Sequence, residues 1–101
     1  MSVVRFKVQC QPDKTETVMA AFKEVIGPSR AVDGVISFDI GRDVAEHNSF
    51  IATEVFDDRA ALERQESLPQ VAKTLGILEE SLISEPEATI FYVSSSEPWE
   101  G

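Results

Sequence analysis

At 101 residues the chain has room for one domain with one modest core, and 43% hydrophobic with 27% charged residues is the balance of an ordinary globular protein, not a disordered one. A net charge of −9 with no cluster of Lys and Arg argues against nucleic acid as a partner and reads as a solubility surface. One cysteine, Cys10, excludes an internal disulfide and a Cys-based zinc cluster, and His47 as the only histidine excludes a His-rich metal site within one subunit.

Residues 3 to 10, VVRFKVQC, alternate: Val4, Phe6, Val8 and Cys10 fall on one face, and Val3, Arg5, Lys7 and Gln9 on the other. That period predicts a strand. Pro12 and Asp13 break it, and Asp13 with Glu16 reads as a helix N-cap with its reciprocal partner. Val18, Phe22, Val25 and Ile26 follow at helical spacing. Gly27-Pro28 either ends this helix or kinks it on its way to about Ala31.

Asp33-Gly34 is a turn signal. VISFDIGRD then alternates, with Ile36, Phe38 and Ile40 opposite Val35, Ser37 and Asp39. A polar loop, residues 44 to 49, leads into a third strand, SFIATEVF, close enough to form a hairpin. On it Phe50, Glu54 and Phe56 share one side, and Ile51 and Val55 the other. Asp57 and Asp58 place negative charge at the start of a short helix. A second helical segment starts near Ser67, with Gln70 as its capping partner and Pro69 in its first turn. It carries one apolar stripe of Val71, Leu75, Leu78 and Leu82. After Glu85-Pro86-Glu87, ATIFYVS (88–94) is the last strand.

The order β-α-β-β-α-β predicts an α+β, ferredoxin-like fold with an antiparallel four-stranded sheet. The expected strand order is fourth, first, third, second, with helices on one face. One domain is expected over residues 1–94, with a polar tail over 95–101. No apolar run approaches the roughly 20 residues of a membrane span. MSVVRFKVQC lacks a basic leader followed by an apolar core, so a cytoplasmic location is expected. Two helices bury one sheet face only. Large apolar residues on both faces therefore predict a homodimer packed sheet to sheet.

With this order in place, DGVISFDIGRD, then SFIATEVFDDRAALERQESLP, then EATIFYV, resembles the antibiotic biosynthesis monooxygenase family of dimeric α/β-barrel proteins. The matching positions are Gly34, Phe50, Glu54, Phe56, Asp57, Ala61-Leu62, Gln65 and Pro69. Two departures stand out: Gln65 where many relatives have His, and Phe56 where many have Trp. Haem-degrading members use an axial His, and without an imidazole in the second helix haem ligation is not expected. Members that need no cofactor oxidise a substrate that itself gives electrons to oxygen, such as an electron-rich phenol or hydroquinone. The resemblance thus implies a reaction with neither metal nor flavin, on a small aromatic molecule.

Glu54 is the central candidate. It is the catalytic or anchoring acid of a pocket, a structural group in a cross-strand ion pair with Arg5 or Lys7 or in a dimer contact, or an exposed side chain. Arg5 is a candidate for holding an anionic group, because a guanidinium grips carboxylates well. Phe38, Phe56 and Tyr92 are candidates for an aromatic pocket, with core packing as the alternative. Gln65 is able to orient a substrate but not to move protons near neutral pH. Two functional readings follow: a cofactor-independent monooxygenase, and a non-catalytic dimeric module of the same fold that binds a small molecule or serves a stress-related role. A closed apolar cavity with Glu54 or Gln65 pointing into it distinguishes the first.

Overall fold

The computed structural model describes all 101 residues. β1 (Ser2–Gln9) leads through a 3-10 turn (Pro12–Lys14) into α1 (Thr15–Arg30). β2 (Val35–Arg42) and β3 (Ser49–Phe56) form the hairpin. α2 (Arg59–Glu66) and α3 (Pro69–Ser81) follow, and β4 (Glu87–Tyr92) completes the sheet. Strands run β2-β3-β1-β4, all antiparallel, which is the expected ferredoxin-like order. No helix is long and apolar enough to cross a membrane.

Local chemistry explains most element boundaries. Asp58 caps α2, its Oδ1 accepting from the Ala61 amide at 2.9 Å. Gly34 takes φ of 89°, and a Cβ there would meet the Ala61 Cβ at 2.6 Å, so both the turn and the approach of α2 require glycine. α1 runs through Pro28 to Arg30 rather than stopping at Gly27-Pro28.

Three expectations about local structure are corrected. Asp13 does not cap α1: the 3-10 turn intervenes and the helix starts at Thr15 with no side-chain cap. Ser67 does not cap α3 but donates to the Glu63 carbonyl at 2.8 Å, closing the end of α2. In β2 a bulge between Val35 and Ser37 breaks strict alternation. Val35 turns inward and Ile36 outward, 53% exposed.

The core lies between helices and sheet. Val8, Val18, Phe22, Val25, Phe38 and Phe50 are buried together, with Phe22 and Phe50 edge to face at 5.4 Å between centroids. A smaller cluster packs Phe56 against Ala61 and Leu62. α1 covers β2, while α3 rests chiefly on α1 rather than on the sheet. The helix side of β1 and β4 is therefore thinly roofed, and every residue of β4 is exposed.

The opposite face of the sheet is more mixed than expected. Val55, Val3 and Phe91 form an apolar row across three strands. Next to it, Thr53, Arg5 and Thr89 form a polar row, and Lys7 stands between Ile51 and Glu87. Only one end of this face is apolar.

Candidate functional site

The thin roof over β1 and β4 leaves a cavity of about 390 Å³ between the sheet and α1, α2 and α3. Its floor is built by alternation. Val4 and Phe6 of β1, Ala52 and Glu54 of β3, and Ala88 and Ile90 of β4 project to the same side, because Val4 pairs with both Glu54 and Ile90, and Phe6 with both Ala52 and Ala88. α3 supplies Val71, Thr74, Leu75 and Leu78 to the wall, and the last turn of α2 supplies Gln65 and Glu66. Most of the lining is apolar.

Glu54 is the polar group of the floor. It is partly buried and has no ion-pair partner. Burial among apolar side chains, helped by the nearby Glu66 carboxylate, pushes its pKa up from the ordinary 4.5 to about 7. At neutral pH such a carboxyl exchanges protons readily in both directions. Gln65, 4% exposed, donates from Nε2 to Ser29 Oγ at 3.0 Å. That bond restrains the amide and uses its nitrogen, so the Gln65 oxygen is the part of the group left free to accept. Thr74 turns its hydroxyl back to the Gln70 carbonyl at 2.9 Å.

The structure brings Glu54, Phe38 and Gln65 together around this cavity and places the other three candidates elsewhere. Arg5 pairs with Thr53 and Thr89 on the opposite face of the sheet, so it neither neutralises Glu54 nor reaches a ligand beside it. Lys7 shares that face and meets Asp43 at 3.7 Å and Glu46 at 3.8 Å, which removes the cross-strand ion pair expected for Glu54. Phe56 is fully buried in the small cluster under α2 and does not line the cavity. Tyr92, 70% exposed at the sheet edge, accepts from Arg59 at 2.9 Å. Phe6, Glu66 and Thr74 line the site without having been singled out in the sequence. Phe6 carried a usable signal, because it shares the face of Val4 and Val8. No three His, Cys, Asp or Glu side chains gather into a metal-binding group.

A split-βαβ sheet roofed on one side over a cleft of small-molecule size, half open along β4, defines a ferredoxin-like α+β protein with a ligand-sized site between sheet and helices. The family model described as antibiotic biosynthesis monooxygenase matches residues 1–75, and the chain belongs to that family. Among curated proteins it is 41% identical over 61 residues to the uncharacterized protein sll1783 of Synechocystis, covering 60% of this chain and 42% of that protein. It is 29% identical over 62 residues to YcnE of Bacillus subtilis, provisionally named a monooxygenase, covering 61% of this chain and 65% of that protein. The match thus spans less than two thirds of either relative's length. Among solved structures, Rv0793 of Mycobacterium tuberculosis superposes with a TM-score of 0.89 at 21% identity, covering 96% of this chain and 98% of that one. A structure described as an antibiotic biosynthesis monooxygenase gives 0.86 at 16% identity, covering 94% and 100%. At these identities the superpositions establish the fold.

Proposed function

We propose that the protein is a cofactor-independent monooxygenase acting on an electron-rich phenol or quinol-like aromatic molecule held between sheet and helices. The observation that carries this reading is Glu54, a carboxyl with a pKa of about 7 on the floor of an otherwise apolar cavity. Membership of the monooxygenase family supports it.

In this reading Glu54 takes the phenolic proton, and Gln65 and Phe38 orient the ring. The phenolate gives one electron to O₂. The phenoxyl radical and superoxide then join at a ring carbon that carries hydrogen, forming the C–O bond. Cleavage of the O–O bond expels hydroxide as the ring hydrogen leaves as a proton. The products are a quinone and water. One oxygen atom enters each, the substrate supplies all four electrons, and its two lost hydrogens end in the water, one of them by way of Glu54. Apolar side chains line most of the space, so a bound ring would itself displace water from the floor around Glu54.

We also propose that the chain works as a homodimer through the apolar end of the open sheet face, where Val3, Val55 and Phe91 line up. The polar row beside them would lie towards the rim of such a contact.

A second reading, a non-catalytic binding module, is favoured by Gln65, whose amide is tied to Ser29 and transfers no protons. Oxygen consumption with a panel of hydroquinones and polycyclic phenols separates the two. The oxygenase reading expects uptake that drops sharply in Glu54→Gln. Tight binding with no uptake for any compound leaves the module.

A further inference from the structure

A second apolar depression lies directly beside the cavity that holds Glu54. Its volume is about 560 Å³, and it runs from Phe6 along α3 to the Leu82–Pro86 connection. Phe6, Leu75 and Leu78 line both spaces. These three residues therefore stand at the boundary between the two spaces. Phe6 is only partly buried and Leu75 is 48% exposed, so at two of the three the boundary faces solvent and not packed protein. The geometry has the same origin as the cavity itself, since α3 rests on α1 and stands off β1 and β4.

The charge of this trench is one-sided. The inner space carries Glu54 and Glu66, and the outer one carries Glu79 and Glu85. Neither is lined by a Lys or an Arg. A ligand that brings a permanent anionic group into it adds charge to charge with no cation to offset it, whereas a phenolate formed beside Glu54 arises only as Glu54 takes the proton and becomes neutral. A neutral apolar chain loses nothing there and buries its methylenes against Phe6, Leu75, Leu78 and Leu82.

We propose that the ligand is a neutral, tailed aromatic: a phenolic head beside Glu54 and an uncharged alkyl or prenyl chain passing Phe6 and Leu75 into the outer depression. Substrates bearing carboxylate, phosphate or sulfate on the tail are rejected. The position of the head rests on the proposed oxygenase reading; the tail and its charge rest on the trench.

Binding without turnover keeps the two apart. Calorimetric titration under anaerobic conditions with a series of 4-alkylphenols should show affinity rising up to about fourfold for each added methylene until the outer space is full, and then levelling. A 4-alkylphenol ending in a carboxylate should bind at least tenfold more weakly than its methyl-ended counterpart. In the doubly substituted Glu79→Lys, Glu85→Lys protein that tenfold gap should close. These two residues are exposed, so the fold should survive the change. Affinity independent of chain length would overturn the proposal, and would be the result if a second copy of the chain filled the outer depression. Equal binding of the carboxylate-ended ligand to the unaltered protein would overturn it too. Chain-length-dependent binding with no oxygen uptake would sink the oxygenase reading and leave this one standing.

Discussion

Gln65 donates from Nε2 to Ser29 Oγ across 3.0 Å, and both side chains are buried. This single bond ties the last turn of α2 to the end of α1 and holds in place a side chain that lines the cavity. Ser29→Ala leaves the Nε2 donor without its acceptor and should cost about 1–3 kcal/mol in urea unfolding. Gln65→Leu combined with Ser29→Ala removes both partners and should recover much of that loss, which a double-mutant cycle measures. Simple addition of the two single losses would mean that the bond contributes nothing.

Glu54 makes stability depend on pH in an unusual direction. Its folded pKa, about 7, lies above the ordinary 4.5. Below pH 4.5 both folded and unfolded chains hold the proton and there is no penalty. As pH rises from 4.5 to 7 the unfolded chain releases its proton first, so stability falls, by up to about 3 kcal/mol. Above pH 7 the penalty is constant. Glu54→Gln should flatten this part of the curve and gain relative to the unaltered protein near pH 8, with no gain at pH 4. Denaturant unfolding across that range checks it.

The same ionisation should govern turnover. A general base works only when ionised, so kcat/KM for a phenol should rise with pH and level off just above 7. Glu54→Gln should remove the rise and lower the rate about 10²- to 10⁴-fold. Glu66→Gln removes the smaller of the two causes of the raised pKa, burial being the larger. It should move the midpoint of the profile slightly towards acid without abolishing activity. A midpoint unmoved in Glu54→Gln would assign the ionisation to another group.

Phe56 and Phe38 should behave differently although both are buried strand aromatics. Phe56 packs beneath α2 against Ala61 and Leu62, away from the cavity, whereas Phe38 lines it. Phe56→Leu should lower stability by about 1–2 kcal/mol and leave ligand affinity alone. Phe38→Leu should change both. Parallel thermal unfolding and binding titrations distinguish them.

The apolar row on the open sheet face should carry self-association. Val55→Asp places a charge between Ser37 and Val3 on neighbouring strands. In sedimentation velocity at micromolar concentration the unaltered protein should run as a dimer and Val55→Asp as a monomer. A monomer in both cases would leave the face without a partner.

The strand order, the hairpin and the helical segments were legible in the sequence because alternation and turn residues were strong: Asp33-Gly34 opened β2, and Asp58 did cap α2. Capping pairs read by spacing alone misled at Asp13 and Ser67, where a 3-10 turn and a C-terminal contact took those side chains instead. For the site, parity held the answer. Glu54 shares its face with Phe50 and Phe56, which must be buried, while Arg5 lies opposite Val4 and Phe6. The two charges thus belong on opposite sides of the sheet. Residue spacing could not separate Phe38 from Phe56, because which inward aromatic meets empty space depends on where α3 leans, and that is decided by its packing on α1.

That lean also assigns the moving parts. Glu54 hangs from β3, which is hydrogen-bonded to a strand on each side, in the portion of backbone whose amides should exchange last. Across from it stands a helix braced mainly by another helix. The proton-bearing floor therefore belongs to the most firmly bonded layer of the molecule, whereas the wall facing it has no strand of its own to lean on, and hydrogen exchange should be faster in α3 than in β3.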